Sequence, residues 1–141
     1  MVVADIMTGN PVTVRPDQTL HKAIWMMQQV GCHHLPVISS NFHVVGIVTE
    51  KDCRVALRIP HLPSDAMEPD HPARQATVRS WMSPAPIIVE PDTPAEEAAR
   101  LMLSHAVSCL PVMRGETLVG IITTSDILAA FIRISKNVPV A

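Results

Sequence analysis

Apolar residues along this chain fall into short alternating runs and short helical stripes, and the order of those runs repeats. Val12 and Val14 flank Thr13 ahead of Pro16, and Ile87-Ile88-Val89 stands ahead of Pro91 in the same way, so each stretch predicts a strand. A helix follows in each case. Leu20, Ala23, Ile24, Met27 and Val30 recur at helical spacing from about Thr19, and Gly31 supplies the stop. In the later stretch Thr93 reads as the N-cap, with Pro94 in the first turn and Glu96 three residues on, a capping box. Ala95, Ala98, Ala99, Leu101 and Met102 form its apolar stripe, ending near His105. Two β segments come next, about His34 to Ile38 and His43 to Thr49, joined by Ser39-Ser40-Asn41. Their counterparts are Cys109 to Met113 and Thr117 to Thr123, joined by Arg114-Gly115-Glu116, and each pair reads as a hairpin. Thr49 and Thr123 each open a final helix, carrying Val55, Ala56 and Leu57 or Ile127, Leu128 and Phe131.

The likeness extends to single residues. Gly46-Ile47-Val48-Thr49-Glu50-Lys51-Asp52 returns as Gly120-Ile121-Ile122-Thr123-Thr124-Ser125-Asp126, and Leu35-Pro36-Val37 returns as Leu110-Pro111-Val112. Met7, Pro11, Val14, Pro16, Asp17, Ala23 and Met27 return as Met82, Pro86, Val89, Pro91, Asp92, Ala98 and Met102. The offset is 75 residues up to Val112 and 74 from Val119, which is duplication with one loop residue lost. The unit is β-α-β-β-α, a mixed α+β fold. It predicts a first repeat over 1–59, a proline-rich linker over 60–75, a second repeat over 76–134 and a frayed tail over 135–141. Ala76 to Met82 reads as a short lead-in helix matching Val3 to Met7. A repeat of about 60 residues is near the lower limit for an independent core, so two copies sharing one core are favoured over two separate beads.

Composition narrows the function classes. The 141 residues are 48% hydrophobic with a formal net charge of −2, and no basic stripe of the kind that binds nucleic acid is present. Three cysteines, Cys32, Cys53 and Cys109, form no C-x-x-C and leave one unpaired, which suits a reducing cytoplasm. The N-terminus lacks a signal-peptide pattern, and the apolar run Ile127 to Ile132 is too short to span a bilayer. A cytoplasmic protein with no membrane contact is the expectation. Seven histidines include the adjacent pair His33-His34, but no metal-ligand spacing accompanies them. No nucleophile elbow, P-loop or paired-carboxylate pattern appears, so catalysis has no candidate residues. Glu96, Glu97 and Arg100 read as a solvated helix face. Cys53 and Cys109 read as small buried hydrophobes.

The two G-I-[VI]-T-x-x-D phrases and the two L-P-V phrases, each with its upstream elements, resemble the cystathionine-β-synthase (CBS) domain pair. The resemblance covers the chain from about Met1 to Ile134 apart from the linker. It implies two repeats packed through their sheets about a pseudo-twofold axis, with two clefts that hold adenine nucleotides, and pairs that associate as flat homodimers. It also implies a role for the repeated phrase. A carboxylate at a strand-to-helix corner can accept two charge-assisted hydrogen bonds from a ribose diol, each worth roughly 1.5–3 kcal/mol. The family's pattern puts Asp52 with Thr49 and Asp126 with Thr123 in that role, with phosphate over the first helical turn. The same Thr-x-x-Asp also suffices as a helix cap, and both readings stand.

Beside Asp52 lie Lys51, His33 and His34, which the resemblance places near phosphate, as in the regulatory gamma subunit of AMP-activated kinase. The second copy has Ser125 in place of Lys51 and Ser108-Cys109 in place of the histidines, so the Asp52 cleft is the expected phosphate site. Adenine contacts are expected from Ile47, Met82 through Ile87 and Val107 in one cleft. In the other they are expected from Ile121, Met7 through Val12 and Cys32. All of these also read as ordinary core or strand-edge positions. The functional expectation is a non-enzymatic, energy-sensing type of regulatory module that needs no cofactor. It would bind AMP, ADP or ATP and signal through a homodimer or an unknown effector protein. The alternatives are an S-adenosylmethionine or adenosine binder, or an interaction module with empty clefts.

Overall fold

The computed structural model describes residues 1–58 and 75–137, so the expected linker falls outside the described residues except for Gln75. A 3-10 turn, Val3–Asp5, leads to β1 (Thr8–Gly9), α1 (Leu20–Val30), β2 (His34–Ile38), β3 (Val44–Thr49) and α2 (Glu50–Leu57). The second half gives α3 (Val78–Trp81), β4 (Ser83–Pro84), α4 (Ala95–His105), β5 (Cys109–Arg114), β6 (Thr117–Thr123) and α5 (Thr124–Asn137). No helix among the described residues is long and apolar enough to cross a membrane.

The compact units do not follow the repeat boundaries. One comprises the described residues of 12–86; the other comprises 1–11 with the described residues from 87 onward. Each holds a three-stranded antiparallel sheet, β2-β3-β4 in the first and β1-β6-β5 in the second. The lead-in segments are therefore exchanged. β4 pairs with β3 through Gly46↔Pro84 and Ile47↔Ser83, and β1 pairs with β6 through Thr8↔Ile121 and Gly9↔Gly120. The repeated glycine makes this approach possible. A Cβ at Gly46 would stand 2.6 Å from Met82 Sδ and 2.8 Å from the Ser83 carbonyl oxygen. At Gly120 the corresponding distances are 2.7 Å to Met7 Sδ and 2.8 Å to the Thr8 carbonyl oxygen. Glycine in a strand interior often marks such a close backbone approach.

In unit 12–86, Leu20, Ala23, Ile24 and Met27 of α1 bury their stripe against Leu35, Val37, Val48, Cys53 and Val78. In the other unit, Ala98 and Met102 of α4 pack with Val3, Ile6, Val89, Leu110, Val112, Ile122 and Ala130. Thr19 caps α1, its Oγ1 accepting the Lys22 N–H at 3.2 Å, and Gly31 ends the helix in the left-handed region at φ 74°.

Several expectations are corrected. The first strand of each repeat shrinks to a single parallel bridge, Val14↔Val37 and Val89↔Val112. Prolines on both sides, Pro11 and Pro16 or Pro86 and Pro91, lack the N–H a longer ladder needs. Thr93 does not cap α4: its Oγ1 accepts the Glu90 N–H at 3.0 Å, and Pro94 is the N-cap. The Ala95 N–H instead donates to the Met1 carbonyl at 3.1 Å, while Glu96 pairs with Arg100. The expected tail boundary at 135 lies inside α5, which continues to Asn137.

Candidate functional site

The first corner is built where β3 passes into α2. Thr49 ends the strand and caps the helix, and its N–H donates to Asp52 Oδ2 at 2.8 Å. The Asp52 N–H donates back to Thr49 Oγ1 at 3.1 Å. The capping box is therefore formed, and both side chains are half-buried. It also limits what the first turn offers an anion. The Glu50 N–H donates to the His33 carbonyl at 3.0 Å, so of the first three helical N–H groups only that of Lys51 is left. Asp52 Oδ1 receives no hydrogen bond among the described residues.

Around this corner the candidate residues separate. His33 is exposed, and its Nδ1 is engaged by Glu50 Oε2 rather than left free for phosphate. Glu50, which sequence reasoning did not single out, also lies 3.8 Å through Oε1 from Arg54 Nε. The signal for it was present: an acid at the first helical position, absent from the second copy, where Thr124 stands. His34 lies in β2 opposite Thr49, half-buried, and Lys51 is exposed on α2. Ile47 is buried and pairs with Ser83, so Met82 through Pro86 stand in the same unit as Asp52. Ala85 holds a left-handed φ of 49°, and its repeat-related partner Asn10 a φ of 48°.

The second corner repeats the backbone plan. The Thr123 N–H donates to Asp126 Oδ2 at 2.9 Å, and the Asp126 N–H donates to Thr123 Oγ1 at 3.3 Å. The Thr124 N–H goes to the Ser108 carbonyl at 3.1 Å. Here the second carboxylate oxygen has a partner, because Thr8 Oγ1 donates to Asp126 Oδ1 at 3.4 Å. Ser125 is exposed, Ile121 is buried in β6 opposite Thr8, and Met7 packs on the core beside them.

Four further candidates have ordinary structural settings in their own units. Val12 and Cys32 pack against the core of unit 12–86, and Ile87 packs against the core of the other unit. The Val107 N–H donates to the Met102 carbonyl just past α4. Burial, reinforced by Asp52 and Glu50, pushes the Cys53 thiol up to about 12. Burial with Asp126 does the same for Cys109. Both are inert side chains at neutral pH. Among the described residues no three His, Cys, Asp or Glu gather where they could hold a metal ion.

The sequence profile of the CBS domain matches twice, over residues 3–59 and 78–133. The chain belongs to the CBS domain family. It is 32% identical over 140 residues to a CBS domain-containing protein of Dictyostelium discoideum, covering 99% of this chain and 97% of that one. The fold is similar to CBSX2 of Arabidopsis thaliana, solved in complex with AMP, at 28% identity and a TM-score of 0.74, covering 95% of this chain and 98% of that one. It is also similar to the CBS domain pair of protein MJ0100, solved with 5′-methylthioadenosine and S-adenosyl-L-methionine. That match has 24% identity and a TM-score of 0.80, covering 95% of this chain and 98% of that one.

Proposed function

We propose that this CBS pair is a non-enzymatic regulatory module that binds an adenine-containing small molecule at its Thr-x-x-Asp corners. The observation that carries the reading is the half-buried carboxylate of Asp52, fixed through Oδ2 while Oδ1 receives no hydrogen bond among the described residues. An acceptor oriented in this way suits the paired hydroxyls of a ribose. The AMP complex of CBSX2 supports a ligand of that class. Asp126 offers a similar carboxylate, but a ribose there has to displace or share the Thr8 hydroxyl. Ligand occupancy would act by linkage, stabilising one arrangement of the chain that a partner distinguishes. The side of α5 that exposes Leu128, Phe131 and Ile132 supports a second copy of the chain as one such partner.

Equilibrium titration of the full chain with AMP, adenosine and S-adenosylmethionine tests the reading. Saturable binding, weakened in Asp52→Ala and lost when Asp126→Ala is added while the chain stays folded, is the expected result. No binding at millimolar concentration would leave the corners as helix caps in an interaction module.

A further inference from the structure

Resting on the adenine-ligand reading above, we propose that Glu50 sets the charge selectivity of the Asp52 corner and biases it toward ligands without a 5′-phosphate. Glu50 is the first residue of α2, and its side chain is only 29% exposed. One carboxylate oxygen holds the His33 imidazole, and the other faces Arg54 Nε at 3.8 Å. The carboxylate thus stands where a phosphate on the first helical turn would stand, with two of the groups that would attract one.

Backbone geometry acts in the same direction. The N–H groups of Glu50 and Asp52 are spent on His33 and Thr49, so a phosphate meets one remaining N–H, that of Lys51. Lys51 itself is exposed, and its charge is screened by solvent. A phosphorylated ligand must therefore displace Glu50 from its partners or accept a like charge beside it. A nucleoside meets neither obstacle, because the ribose needs only Asp52. The second copy provides a comparison within the same chain: Ser108, Thr124 and Leu128 stand at the positions of His33, Glu50 and Arg54. The whole charged cluster belongs to the first copy alone.

The test uses calorimetric titration of the full chain carrying Asp126→Ala, so that the Asp52 corner reports, with AMP and adenosine as probes. Glu50→Gln removes the charge and keeps the shape. It should tighten AMP about three- to fivefold and leave adenosine within about twofold. Adding His33→Ala to Glu50→Gln should take back part of the gain, because the released imidazole then no longer meets the phosphate. Glu50→Thr, which carries the second copy's residue, repeats the measurement should the glutamine variant fold poorly by circular dichroism. If both probes bind and their ratio is unmoved by either substitution, Glu50 is not the selectivity residue and the ligand reading stands. If neither probe binds the parent chain, the ligand reading falls and the Glu50 proposal falls with it.

Discussion

The Asp52 and Asp126 corners share one backbone and differ in almost everything the backbone presents. Both have a Thr cap, an Asp three residues on and a first N–H given to the residue before the L-P-V strand. Around the first stand Glu50, His33, Lys51 and Arg54; around the second stand Thr124, Ser108, Ser125 and Leu128. The repeated letters fix the shape of the corner, and the unrepeated letters fix its charge.

The sharpest way to break the comparison is to attack the frame in both copies. Gly46→Ala and Gly120→Ala should each cost about 1–3 kcal/mol, because the new Cβ meets a backbone carbonyl that cannot swing aside. Urea denaturation measures this, and a harmless Gly46→Ala would show that the close approach to β4 does not constrain the strand. Next come the caps. Asp52→Ala and Asp126→Ala should each lose about 1 kcal/mol of stability, and Asp126→Ala a few tenths more, because Thr8 loses its acceptor as well. Equal losses would mean that the Thr8 contact adds nothing.

A smaller difference lies at the helix ends. Gly31 ends α1 at φ 74°, whereas Ala106 ends α4 at φ 53°. Ala106→Gly should stabilise, and Gly31→Ala should destabilise, by about 0.4–1 kcal/mol in thermal melts. At neutral pH the thiols make no difference between the copies. Their folded values of about 12 lie above the ordinary value of 9.0, so the stability they contribute is complete below pH 9 and is lost as pH rises from there toward 12. The urea midpoint should fall over that range, and less steeply in Cys53→Ala or Cys109→Ala than in the parent. Slopes indistinguishable from the parent would show that the buried thiols ionise as readily folded as unfolded.

The parts of the fold that local pattern decides were legible in the chain. The α1 stripe with Thr19 and Gly31, both hairpins and the Thr-x-x-Asp caps follow from periodicity and capping chemistry, which act within a few residues. What failed depends on distant partners. Thr93 is an acceptable cap, yet the Met1 carbonyl, far away in sequence, satisfies the Ala95 N–H. The repeated Met and the repeated Gly were both visible, but that Met82 packs on Gly46 and Met7 on Gly120 requires the exchange of lead-in segments, which no local pattern encodes. At the site, Thr49 and Asp52 were legible as a pair. The pairing of His33 with Glu50 was not, because it joins the end of one loop to a helix start on the far side of a hairpin.

That exchange bears on how such a chain can change over generations. Because Met82 lies against Gly46 and Met7 against Gly120, each half of the gene carries a piece of the other half's sheet. A substitution at one glycine is judged by a methionine encoded in the opposite copy. The copies differ at Glu50 and Thr124, whose backbone N–H groups bond to His33 and Ser108 of their own copies. They are not free to be shuffled one at a time into foreign sequence, since either half taken alone leaves its final hairpin without a third strand.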